Sequence, residues 1–172
     1  MGKTFKNKEE FYAAYQEFFK SHPEAKVAES VECLNLIMKK VYAEQILAGT
    51  KKLEFRAYSK FYIRRLIDSA VADYIREHSD DEDVLTFCND IRQVNSIHFH
   101  DYNNSWFLDV ECTFNDVFSI TKEDIRMLNE KYDCHDYDDD LKRMEAMKVP
   151  VEERPWIFFF VCGKVLDTNL KG

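Results

Sequence analysis

The stretch Val41–Arg56, VYAEQILAGTKKLEFR, constrains the fold most, because a helix and a strand must meet there across one glycine. Before that glycine, apolar residues recur at helical spacing at Ala43, Ile46 and Leu47. Gly49 follows where the end of a helix favours a residue that tolerates a positive φ. Beyond it the chain alternates with a period of two, which predicts a strand.

The predicted strand carries an unusual set of charges on one face. Lys52, Glu54 and Arg56 alternate with apolar neighbours, and Lys51 in the turn can reach round towards them. Arg56 could donate two hydrogen bonds to a phosphate or a base edge, and Lys51 supplies a movable point charge. Glu54 could accept from an exocyclic amine, while Tyr42 on the preceding helix offers a stacking face. These residues predict a ligand pocket.

The residues Gly49 to Arg56 spell GxKxxExR, and with YAEQIL before them the segment resembles the signature of the ASCH family within the PUA-like superfold. The resemblance covers roughly residues 34 to 56 and a strand near 156 to 166. It implies an α+β fold, a small mixed β-barrel with helices packed outside, and a cleft that binds single-stranded RNA or a nucleotide-like ligand. The ligand-binding residues that it implies are Tyr42, Gly49, Lys51, Glu54 and Arg56.

Some proteins of the resembling family are hydrolases, which makes Lys51 and Glu54 the candidate catalytic residues. The branch that acts on acetylated cytidine has a threonine nucleophile three residues after the motif lysine, where this chain has Glu54. Without that hydroxyl the covalent route is lost, so the sequence favours binding over hydrolysis. A hydrolase that uses Lys51 as base and Glu54 as proton shuttle stays open, as does a structural protein in which the motif only stabilises a loop.

Length and composition predict one domain over residues 1–172. A chain of this length can bury one substantial core, and 45% hydrophobic content supports such a core. The PUA-like core would then carry an N-terminal helix and a helical insertion near 119–148. The odd number of cysteines, five, without CxxC spacing predicts reduced thiols in the cytoplasm. No apolar stretch reaches membrane length, and no motif predicts a cofactor, so we expect neither a membrane nor a cofactor as partner.

Charge is distributed unevenly along this acidic chain, whose formal net charge is −8. Between Lys39 and Arg65 there are eight Lys and Arg against two Glu, which gives that segment +6 and leaves −14 for the remainder. Nonspecific nucleic-acid binding requires broad phosphate neutralisation, so the net charge argues against it. The asymmetry would confine an anionic ligand to the surface of this segment. A solvated basic face is the alternative.

The segment Val94–Phe114 predicts a β-hairpin with Asn103-Asn104 at a two-residue tip, since this pair tolerates the left-handed turn conformation. Counting outwards places His100 opposite Phe107 and His98 opposite Asp109. One face then carries the polar residues His98, His100, Asp109 and Glu111. They could bind a metal or move protons, but the polar outer face of a sheet is the favoured interpretation. No metal site is therefore predicted.

Further elements follow from periodicity and capping. Asn7 is a candidate N-cap for an aromatic helix that ends near His22, and a second long helix is predicted over Ser59–His78. The charged run SDDED after it is interpreted as a loop, and the late apolar run WIFFFVCGKVL as a buried strand in which Gly163 marks a bulge or close approach.

Two helices are predicted late in the chain, over Thr121–Tyr132 with Thr121 as N-cap and over Tyr137–Met147. The acidic string Asp136, Asp138, Asp140 lacks the glycine and glutamate that a calcium loop needs, so it is interpreted as charges at a helix start.

Overall fold

Five strands form one mixed sheet in this computed structural model, which describes residues 3–171. The strands are β1 (Val31–Ile37), β2 (Leu53–Ala57), β3 (Val94–His100), β4 (Phe107–Ser119) and β5 (Trp156–Thr168). Their order is β1-β3-β4-β5-β2; β1 and β3 run parallel, and the other neighbours are antiparallel. The α+β prediction is confirmed. A closed barrel is not observed among the described strands, because β1 and β2 do not pair with each other and leave the sheet open.

Seven helices accompany the sheet within residues 3–171. They are α1 (Lys8–Ser21), α2 (Lys40–Ala48), α3 (Lys60–Leu66), α4 (Ser69–Glu77), α5 (Glu82–Phe87), α6 (Lys122–Tyr132) and α7 (Asp138–Ala146), with a short 3-10 turn over Val151–Glu153. Thr121 caps α6 as predicted, and its hydroxyl accepts from the Asp124 N–H. The helices α6 and α7 occupy the region where a helical insertion was expected. None of the helices within residues 3–171 is long and apolar enough to cross a membrane.

The chain divides into two compact units. The first comprises the chain up to Ser30 together with Ile63–Gln93, and its core contains Phe18, Val84 and Phe87. The predicted N-cap is confirmed, since the Asn7 side chain accepts from the Glu10 N–H. The expectation of one domain over residues 1–172 stays a prediction.

Two predictions for the chain between β2 and β3 are wrong. The long helix predicted over Ser59–His78 is broken, because Asp68 caps a new helix, α4, and its own N–H donates to the carbonyl of Asp90. The charged run SDDED is not simply a loop, because Asp81 caps α5 and accepts from the Asp83 N–H. In both places an aspartate side chain satisfies the free N–H groups at the start of a helix.

The second unit, Val31–Tyr62 with Val94–Gly172, contains the whole sheet. One of its core clusters consists of Leu53, Phe118, Ile120, Ile125, Leu128 and Phe159. The predicted late strand is confirmed as β5, and three consecutive phenylalanines, Phe158 to Phe160, are fully buried in it. Gly163 marks a close approach, since a Cβ there would stand 2.7 Å from the Cγ2 of Thr113.

The hairpin register is confirmed. His100 lies opposite Phe107 and His98 opposite Asp109. The apolar side chains that alternate with the polar face are buried, namely Ile97, Phe99, Trp106, Leu108 and Val110. The two-residue tip is wrong, because β3 ends at His100 and β4 begins at Phe107. Asp101 closes the longer loop by accepting from the Ser105 N–H at 2.7 Å. Compared with the predicted two-residue tip, the loop takes the same number of residues from each strand, so the pairing of the remaining residues is unchanged.

Candidate functional site

The turn between α2 and β2 sets the position of Lys51. Gly49 ends α2 with φ +80°, and the carbonyl of Gln45 then accepts from the N–H groups of Thr50 and Lys51 at 3.0 and 3.2 Å. These bonds satisfy carbonyl groups that the last helical turn would otherwise leave free. The predicted helix, glycine and strand are therefore confirmed.

Glu54 lies between two cations, as the strand pattern predicts. Its Oε1 is 3.3 Å from the Nε of Arg56, and its Oε2 is 3.8 Å from the Nζ of Lys51. The Glu54 side chain is only 10% exposed, and its Oε2 has no hydrogen-bond partner among the described residues. Burial raises the pKa of Glu54, although the charges of Arg56 and Lys51 oppose that shift. The carboxylate is thus held in a partly dehydrated position.

Arg56 joins the two edge strands of the sheet through its side chain. One guanidinium nitrogen donates to the carbonyl of Ile37 on β1 at 2.9 Å, and the other donates to the hydroxyl of Tyr62 at 3.1 Å. The Nε faces Glu54. Both terminal nitrogens are therefore engaged by hydrogen bonds, and the buried Nε is beside Glu54 without a hydrogen bond among the described residues, so a phosphate would have to displace a partner of a terminal nitrogen.

A cavity of about 570 Å³ opens beside the motif, within the second unit. Three segments line it, namely α2, the turn that leads into β2, and the C-terminal end of α6 with the chain after it. The lining residues are Tyr42, Gln45, Gly49, Thr50, Lys51, Lys52, Leu53, Tyr132, Asp133, Cys134 and Asp136. Its volume falls within the range of roughly 300 to 1,000 Å³ that is typical of small-molecule sites.

The structure divides the predicted site residues into two groups. Tyr42, Gly49 and Lys51 line the cavity, whereas Glu54 and Arg56 are not among its described lining residues. Lys51 connects the two groups, because its ammonium is 5.7 Å from the ring centroid of Tyr42 and also within ion-pair distance of Glu54. Of the basic side chains between Lys39 and Arg65, Lys51 and Lys52 line the cavity.

The segment after α6 supplies a wall of the cavity that sequence reasoning missed. Tyr132 ends the helix, and Asp133 follows in the left-handed conformation with φ 50°. The Asn129 amide then donates to the Cys134 carbonyl at 2.7 Å and to Asp138 at 2.9 Å, which fixes the path of the chain. No periodicity or motif marks this wall in the sequence. Its only signal is the cluster of acidic residues around a helix end.

The acidic string in this segment is divided between two roles. Asp138 and Asp140 lie in the first turn of α7, where negative charge is stabilised by the helix dipole, as predicted. Asp136 precedes the helix and lines the cavity. Cys134 also lines the cavity, but burial raises the pKa of its thiol, so the nucleophilic thiolate is disfavoured.

The polar face of the hairpin forms as the register predicts. The ring centroids of His98 and His100 are 5.3 Å apart, and His98 forms a hydrogen bond to Asp109. His100 contacts the carbonyl of Asp101 at 2.8 Å instead of a second carboxylate. Within residues 3–171 no three His, Cys, Asp or Glu side chains are grouped so that they could hold a metal ion.

Comparison with known proteins gives no relative on which a function could be based. No protein-family model matches the chain, and no curated protein or solved structure matches it either. The function is therefore inferred from the geometry of the cavity and its surroundings.

Proposed function

We propose that this chain is an ASCH-like protein of the PUA-like superfold that binds a nucleotide, or a nucleotide unit of single-stranded RNA, in the cavity beside Gly49. The observation that carries the proposal is the position of Lys51. Its ammonium lies at the wall of a ligand-sized cavity, next to the ring of Tyr42. A cation beside an aromatic face suits a ligand that has both a phosphate and a planar base.

In this proposal Glu54 and Arg56 act behind the cavity. Glu54 attracts the Lys51 ammonium from 3.8 Å and so restricts where that long side chain points. Arg56 holds Glu54 and ties β2 to the end of β1 through the Ile37 carbonyl. This hydrogen bond links a side chain of the edge strand β2 to the backbone of the edge strand β1. It supports the proposal that the sheet curves towards the barrel of the PUA-like superfold.

The alternative function is hydrolysis of RNA or of a modified nucleoside. The burial of Glu54 favours it, because a side chain that is only 10% exposed has a raised pKa, as do carboxyl groups that act as general acids. However, Glu54 is not among the described lining residues of the cavity, to which its ion pair with Lys51 connects it. Burial also raises the pKa of the Cys134 thiol, which disfavours the nucleophilic thiolate. The geometry therefore supports binding better than turnover.

The test is a binding titration with short single-stranded RNA and nucleoside monophosphates. Wild type is compared with Lys51→Met, which removes the ammonium and keeps most of the apolar stem. Lys122→Met is the matched control, because it removes the same charge from an exposed position at the opposite end of α6, ten residues or about 15 Å from Tyr132.

We expect salt-sensitive binding that Lys51→Met abolishes and Lys122→Met preserves. Reaction products should be followed in the same samples, since products that disappear in Glu54→Gln would establish the hydrolase instead. If wild type binds none of these ligands, or if Lys51→Met binds them equally well, the proposed function is wrong.

A further inference from the structure

The cavity has walls of opposite charge. The turn before β2 contributes Lys51 and Lys52, and the segment after α6 contributes Asp133 and Asp136. A nucleotide that enters it therefore meets cations from one segment and carboxylates from the other. A phosphate suits the first wall, whereas only a hydrogen-bond donor or a positive charge suits the second.

Asp136 is the carboxylate on the acidic wall that has no partner among residues 3–171, whereas Asp133, although 93% exposed, has one. Asp133 already contacts the Nε2 of His135 at 3.3 Å. The side chain of Asp136 forms no hydrogen bond or ion pair with any other residue in the range 3–171. It is exposed in the cavity wall, so a ligand donor can approach it without displacing a protein partner.

The acidic wall is also held in place by backbone bonds, so it does not depend on the ligand for its shape. The N–H of Cys134 donates to the carbonyl of Leu128 at 3.1 Å, and the N–H of Asp133 donates to Asn129 at 3.1 Å. The Asn129 amide adds two bonds just beyond. These bonds hold the backbone on both sides of Asp136, and because its side chain is short, its carboxylate stays at this wall and can discriminate between ligands.

We propose that the cavity selects nucleotides whose base carries an exocyclic amine over those that carry a carbonyl at the same place. This inference rests on the proposed function. The phosphate contacts Lys51 and Lys52, the base lies by the Tyr42 ring, and the amine donates to Asp136. A carbonyl oxygen in that position would face the carboxylate with no proton between them, and the base would have to shift for its neighbouring ring N–H to donate instead.

The experiment compares two pairs of ligands in which the exocyclic amine is replaced by a carbonyl and the adjacent ring nitrogen changes from an acceptor to an N–H donor. Adenosine monophosphate is titrated against inosine monophosphate, and cytidine monophosphate against uridine monophosphate, with wild type, Asp136→Asn and Asp139→Asn. The Asp136→Asn amide can both donate and accept, so it removes the discrimination while keeping the shape. Asp139→Asn is the matched control, because Asp139 is an exposed aspartate in the first turn of α7 and is not a lining residue.

We expect wild type and Asp139→Asn to bind the amino member of each pair about tenfold more tightly than the oxo member, or more, and Asp136→Asn to bind both members within about threefold. Lys51-dependent binding of all four ligands without preference in wild type would overturn this inference and leave the proposed function intact. A preference that survives in Asp136→Asn would also overturn it. If none of the four ligands binds, the proposed function fails and this inference fails with it.

Discussion

The buried charges behind the cavity lead to a prediction about which of them stabilises the fold. We expect Arg56→Met to destabilise the protein strongly and Glu54→Gln to do so only slightly. Methionine keeps an apolar stem but removes every donor of Arg56, whereas glutamine keeps the size of Glu54 and removes its charge.

The magnitudes follow from what each side chain contacts. Arg56→Met removes the hydrogen bonds to Ile37 and Tyr62 and leaves Glu54 buried with only Lys51 at 3.8 Å. Removing one partner of a buried ion pair costs about 3 to 5 kcal/mol, and we expect a loss in this range. Burial raises the pKa of Glu54 despite its two cationic neighbours, so we expect its charge to add little to the free energy of unfolding. Glu54→Gln should therefore cost less than about 1.5 kcal/mol.

Urea titrations at pH 7, followed by circular dichroism, give the free energy of unfolding of each variant. Lys122→Met serves again as the control and should stay within about 0.5 kcal/mol of wild type. A Glu54→Gln variant that loses as much stability as Arg56→Met would refute the reasoning, because it would mean that the Glu54 charge contributes more than its burial costs.

Three more predictions concern other parts of the chain. Leu108→Ala should lower the free energy of unfolding by about 2 to 5 kcal/mol in a urea titration, because the side chain is fully buried. His98→Ala should lower it by less than about 1 kcal/mol, and the opposite ranking would contradict the assignment of the two hairpin faces. Arg154→Lys should lower the free energy of unfolding by about 1.5 to 3 kcal/mol, because one ammonium cannot replace the hydrogen bonds of the buried guanidinium to two carbonyls and a carboxylate. A variant as stable as wild type would refute the stabilising role of these bonds. Hydrogen bonds to two aspartates raise the pKa of His135, so its contribution to stability should be complete below its ordinary pKa and fade as pH rises through the raised value. An NMR titration of His135 with a midpoint at or below the value of the unfolded chain would contradict this.

Local sequence patterns determined several parts of this structure. The end of α2 at Gly49 and the period-two strand after it follow from spacing alone, as does the pairing of His98 with Asp109. The caps at Asn7 and Thr121 are equally local. Such features depend on residues that are close to one another in the sequence, within one helix turn or one hairpin, so periodicity and residue type are enough to find them.

Only the tertiary structure decided where the strands lie in the sheet and which side chains form the cavity. The parallel pairing of β1 with β3 joins residues about sixty positions apart, and no local pattern specifies it. The break before α4 depends on the backbone bond between Asp68 and Asp90, which a periodic count cannot detect. The acidic wall reaches the cavity because α6 packs its apolar side on the core and ends beside Lys51. The sequence thus determined the charges of the motif. Long-range packing determined that Lys51 lines the cavity, whereas Arg56 donates to Ile37 and Tyr62 away from it.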